Sequence, residues 1–174
     1  DPRVAAAMQE VSVEHFANPS SSHRLGQAAR VRLDESRTKI ASLLGAKPSE
    51  IILTAGGSES DNLAIMGSLL STDSRGKHFV TVASEHPAVT ATAAWAAQKG
   101  FDVTMLGVDR EGKLDVDQFR SALRSDTQIA SIMLANNEVG TVYPIAQLAA
   151  IAKERGVVFH TDAVQAYGKI PVNV

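Results

Sequence analysis

The sequence has no cysteine, which excludes disulfide bonds and thiolate metal ligands within it. It also has no apolar run near the roughly 20 residues needed to cross a bilayer. With a net charge of -2, it lacks the basic face that nucleic acid or an anionic membrane requires of a partner. The N-terminal stretch DPRVAAAMQE has neither the basic nor the apolar region of a secretory signal. The expectation is therefore no membrane, no nucleic acid and a cytoplasmic location. What is present is ordinary for a globular protein: 44% hydrophobic and 21% charged residues in 174, enough for one domain with a real core. The chain begins at Asp1 and stops at Val174 straight after a strand-like segment. It reads as a piece cut at both ends, with a small complete domain as the alternative.

Short apolar, β-branched runs alternate with longer amphipathic ones. The strand candidates are Ile51–Thr54, Phe79–Ala83, Val103–Val108, Ile129–Leu134 and Val157–Thr161, short and apolar as in strands buried on both faces. The helix candidates are Ser22–Leu44, Ser58–Leu70, Pro87–Gln98, Val116–Leu123 and Ile145–Arg155. Gly45, Gly100 and Gly156 are placed to end three of them, Asp115 to cap one, and Pro87 to open one. Strand–helix–strand alternation predicts an α/β fold, a mainly parallel sheet with helices on both faces. Ligands of such sheets bind outside the carboxyl ends of the strands.

Four strand ends carry polar sets. Ala55-Gly56-Gly57-Ser58-Glu59-Ser60-Asp61-Asn62 puts two glycines and a hydroxyl at a helix start, which suits an anion but equally suits a simple capping turn. It is neither a Walker loop nor a dinucleotide fingerprint, which weakens a generic nucleotide-binding reading. His86, in Ser84-Glu85-His86-Pro87, is either a ligand-facing imidazole or a solvated loop residue. Asn136-Asn137-Glu138 needs hydrogen-bond partners, supplied by a ligand or by the loop's own backbone. Asp162, in His160-Thr161-Asp162-Ala163-Val164-Gln165, pairs with a cation or caps the next turn. Together they suit a flat, phosphorylated, nitrogen-containing ring.

These segments, with Ala17-Asn18-Pro19-Ser20-Ser21-Ser22-His23 and the continuations Pro87-Ala88-Val89 and Val139-Gly140-Thr141, resemble the cysteine desulfurases. Those are class-V aminotransferase relatives among the fold-type I enzymes that use pyridoxal 5'-phosphate (PLP). The matches run in the family's order through almost the whole chain, in the form of the subgroup that feeds iron–sulfur cluster assembly. The resemblance implies that residues 1–174 form a single domain, part of the large cofactor-binding domain, without the small C-terminal domain. It implies conversion of L-cysteine to L-alanine, with sulfur passing to an enzyme persulfide and then to an acceptor or iron–sulfur scaffold protein, in a homodimer. It assigns Gly57 and Ser58 (where the family often has Thr) to the PLP phosphate. His86 is assigned to the ring face and to proton movement, as the catalytic candidate. Asn137 is assigned to the phenolic-oxygen side and the substrate carboxylate, Asp162 to the ring nitrogen and Gln165 to the phenolic oxygen.

The departures matter too. The family's cofactor-binding lysine lies in a Ser-Gly-His-Lys stretch beyond a segment like Gly168-Lys169-Ile170-Pro171-Val172. No lysine here holds that position, and no cysteine can form the persulfide, so this chain alone is expected to be inactive. A selenocysteine lyase or other class-V PLP enzyme is the alternative within enzymes. A non-catalytic fragment or interaction module is the alternative outside them.

Overall fold

The computed structural model describes residues 1–174, which form two compact units. The first comprises residues 1–53 and 172–174, the second residues 54–171. In the first, α1 (Pro2–Glu14), absent from the helix candidates of the sequence, opens on a standard signal: Asp1 accepts from the Arg3 N–H at 2.9 Å and Pro2 follows the cap. None of its residues is buried. Helix α2 (Arg24–Leu44) ends as expected at Gly45, whose φ of 72° is left-handed. A 3-10 turn, Pro48–Glu50, follows.

The run Ile51–Thr54, expected as the first strand, is not one. A strand needs a ladder partner to satisfy its peptide groups, and nothing pairs here. The Ile51 carbonyl accepts instead from the Arg37 guanidinium, and Ile52 and Leu53 lie exposed. β-branched composition indicates a backbone that can extend; pairing is decided by its neighbours.

The second unit holds α3 (Gly57–Leu69), β1 (His78–Val82), α4 (Pro87–Gln98), β2 (Asp102–Leu106), α5 (Val116–Ala122), β3 (Thr127–Ser131), α6 (Ile145–Glu154) and β4 (Val158–His160). The strands form one all-parallel sheet in the order β2-β1-β3-β4, so the α/β expectation holds. Alternation along β1 and β3 feeds two cores. Phe79 and Ile129 join Ile65 of α3 and Val89 of α4 on one face, while Val80, Val82, Ala130 and Ile132 join Phe119 of α5 and Leu148 of α6 on the other. Only these two central strands are buried throughout. The outer strands β2 and β4, expected to be buried on both faces, are not. They are the sheet's edges, and Met105 and Val158 are about half exposed there. Helices α4 and α6 are followed by left-handed Gly100 and Gly156, and Asp115 caps α5, as expected.

β1 starts one residue earlier than its apolar run because His78 is hydrogen-bonded on both sides. Its Nδ1 lies 2.8 Å from Thr127 Oγ1 and its Nε2 2.8 Å from Thr104 Oγ1, joining three strands through one fully buried ring. Opposite, β3 bulges at Gln128, which turns aside to accept from the Arg75 N–H and donate to the Ser68 carbonyl. Burial, and next the nearby Arg124 guanidinium, hold the His78 pKa below its ordinary 6.5. The folded state therefore keeps the ring neutral where the unfolded chain protonates. The stability this ring contributes is present above pH 6.5 and is lost as pH falls below it. Urea unfolding of the wild-type chain against His78→Gln should show the wild type losing more stability on acidification. Parallel curves for the two proteins would exclude a neutral His78.

Candidate functional site

The connection from β1 runs to β2 on one side, while β3 lies on its other side. Chain direction thus diverges at the carboxyl ends of β1 and β3, where open α/β sheets form a crevice. A depression of about 200 Å³ lies there, lined by Gly57, Ser58, Asp61, His86, Met133, Asn137, Asp162, Val164 and Gln165. All six residues singled out from the sequence line it. A larger, shallow groove of about 710 Å³ runs along α1 and gathers no comparable polar set.

Gly57 and Ser58 form the first turn of α3, whose N-terminus has no side-chain cap. Amides left free there present partial positive charge. A Cβ at Gly57 would lie 2.7 Å from Val164 Cγ2, so only glycine lets the helix start approach the segment after β4 this closely. His86 caps α4 through Nδ1, which accepts from the Ala88 N–H at 3.2 Å. The neutral ring therefore carries its proton on Nε2, which remains available to a ligand. The two adjacent amides divide the work. Asn136 donates to the Ser84 carbonyl at 2.8 Å and accepts from the Glu138 and Val139 N–H groups, whereas Asn137 lines the depression. Gln165, on the exposed rim, accepts from Lys169 Nζ at 2.8 Å, which leaves its amide N–H groups for a ligand.

Asp162 is buried; its Oδ1 accepts from the Val164 N–H at 2.9 Å. It therefore caps a turn, as one reading had it, while Oδ2 has no protein hydrogen bond. Asp61 is buried beside it, and burial, reinforced by the Asp162 charge, pushes its pKa up to about 6. His160, whose own pKa burial lowers, places Nε2 3.6 Å from Asp61 Oδ1 and Nδ1 2.9 Å from Ser131 Oγ. Asp61 belongs to the Gly-Gly-Ser segment, but no motif marks it. Helical spacing is the signal that finds it: three residues after Ser58, it lies on the same helix face. Met133 and Val164 line the depression as well, and no sequence pattern marks them.

The chain matches the aminotransferase class-V family over residues 1–174. It is 50% identical over 171 residues to a protein named cysteine desulfurase IscS from Dictyoglomus turgidum, covering 98% of this chain and 43% of that protein. A protein of the same name from Methanosarcina thermophila is 46% identical, with 98% and 42% covered. The chain thus spans less than half the length of these curated relatives. Among solved structures, a NifS-like protein superposes with a TM-score of 0.95 at 35% identity, covering all of this chain and 48% of that one. A structure described as SspA in complex with cysteine gives 0.95 at 37%, covering all of this chain and 50% of that one. From a match along its whole length and an all-parallel sheet superposing on such structures, the chain belongs to the aminotransferase class-V family.

Proposed function

We propose that this chain forms the PLP-holding part of a cysteine desulfurase. The observation that carries the reading is the convergence of an uncapped helix start, an imidazole, two amides and a buried carboxylate on one depression. These residues fit the cofactor chemically. The α3 amides and Ser58 hydroxyl suit a phosphate, and the bare Gly57 lets Val164 pack close to that helix start. Asp162, with an oxygen uncommitted and Asp61 adding negative field, suits a protonated ring nitrogen. His86 offers a flat face and a proton at Nε2, and Gln165 and Asn137 offer amide donors. When bound, PLP supplies an electron sink for the pair left at the substrate's α-carbon. Within that chemistry Asp162 keeps the ring nitrogen protonated, His86 moves a proton at Nε2, and Asn137 orients the substrate carboxylate.

The reaction class is L-cysteine plus a thiol giving L-alanine and a persulfide. This chain has no cysteine, so the thiol comes from outside these residues, and a sulfur-acceptor or iron–sulfur scaffold protein takes the sulfur onward. A homodimer is part of the same reading; concentration-dependent sedimentation tests it. The direct test titrates the purified chain with PLP, following its absorbance and the quenching of Trp95. Saturable binding that inorganic phosphate competes away is expected. Non-saturable uptake, or binding indifferent to phosphate, overturns the reading.

A further inference from the structure

Glu85 precedes His86 in the turn after β1, and the chemistry above does not use it. Its side chain is buried, 7% exposed. Oε1 accepts from the Met133 N–H at 2.7 Å, while Oε2 is enclosed with no hydrogen-bond partner. Met133 lines the depression that His86 and Asn137 share. Glu85 and the Asn136–Ser84 bond thus tie the two loops at the carboxyl ends of β1 and β3. An ionised carboxylate with one oxygen orphaned in this position is costly; a neutral acid is far less so. The charges around it reinforce this. Asp61 of α3 and Asp162 after β4 repel a negative charge at Glu85, and the Tyr143 hydroxyl after β3 feels it too. Asp109, Arg110, Glu111 and Glu138 line the shallow surface hollow that Glu85 also reaches, where solvent screens them.

We propose that Glu85 is a positioning residue: as a neutral acid it clamps the turn carrying His86 onto the end of β3, and its ionisation releases that turn. The inference rests on the PLP reading for its consequence, but not for its physical content. Burial raises the Glu85 pKa to about 8, outweighing the stabilising Met133 N–H. The clamp is therefore engaged at neutral pH and loosens as pH rises through that value.

Two measurements on the 174-residue chain test it. In the first, without PLP, the resonances of the Met133 amide and of the Asn136 side-chain amide, which donates to the Ser84 carbonyl of the same turn, are followed by NMR against pH. In the wild type both should titrate together with a midpoint near about 8, and both should be flat over that range in Glu85→Gln, which keeps the acceptor but cannot ionise. In the second, PLP affinity is compared at equal pH. Glu85→Gln should bind within about twofold of wild type near neutrality, and Glu85→Ala about tenfold more weakly. Above the midpoint the wild type should fall behind Glu85→Gln. A Met133 midpoint at the ordinary glutamate value, or a Met133 titration that the Asn136 side-chain amide does not share, overturns the clamp. So does a Glu85→Gln affinity as poor as that of Glu85→Ala. Absence of PLP binding in every variant, with the NMR titration as expected, overturns the cofactor reading and leaves the clamp standing.

Discussion

Asp162→Ala should weaken PLP binding about 100-fold, because truncating one partner of a buried charged contact costs on the order of 3 kcal/mol. Gln165→Ala should cost about fivefold, since a neutral hydrogen bond on an exposed rim contributes roughly 1 kcal/mol. The asymmetry follows from surroundings: Asp162 is 7% exposed, whereas Gln165 is open to water and shares its oxygen with Lys169. Asp162 also caps a turn through the Val164 N–H, so alanine removes structure as well as charge. Asp162→Asn separates the two, because its side-chain oxygen can still accept from Val164. A loss of about tenfold or more in Asp162→Asn, with unchanged unfolding, assigns the effect to charge. PLP titrations by fluorescence quenching supply the numbers. An Asp162→Ala chain binding within about threefold of wild type, or less impaired than Gln165→Ala, rejects the pairing of Asp162 with the ring nitrogen.

Phe119→Ala should destabilise the second unit by about 3–5 kcal/mol, the usual cost of emptying a buried aromatic site. Phe119 is fully buried in the larger core, and its ring meets Phe159 edge-on, with centroids 6.2 Å apart and planes at 87°. That contact links α5 to Phe159 of β4, the strand that leads to Asp162. A loss of this size is a large part of the 5–15 kcal/mol that typically separates folded from unfolded chains. Phe119→Leu, which refills much of the volume, should lose about 1–1.5 kcal/mol. Urea midpoints measure both. A Phe119→Ala midpoint close to wild type would mean that the site collapses around the smaller side chain.

The site was more legible in the sequence than its scaffold was. Ser58, His86, Asn137 and Asp162 each follow an apolar run or open a helix, so turn chemistry and chain order are enough to bring them together. Asp61 escaped because its role depends on helix phase and on burial beside another acid, neither of which a motif displays. Ile51–Thr54 misled for the opposite reason. Its composition favours extension, but a ladder is made between segments and cannot be read within one. The same limit applies to β2 and β4: apolar content does not say which strands lie at an edge. Asn136 and Asn137 look interchangeable in the chain, and only the fold gives one to the Ser84 loop and the other to the depression.

His78 and its two threonines bear on how the chain avoids folding wrongly. Valine, isoleucine and phenylalanine side chains can trade places along neighbouring strands with little loss, so slipped pairings of β1 would be close competitors. A buried imidazole tolerates no such exchange. Moved by one pairing step, it would leave two buried ring nitrogens stranded without partners, each costing about 1–3 kcal/mol. The histidine thus works as a peg among interchangeable parts. It adds little that hydrophobic packing lacks in the correct state, but it raises the energy of the near-misses and widens the gap that makes the native pairing unique.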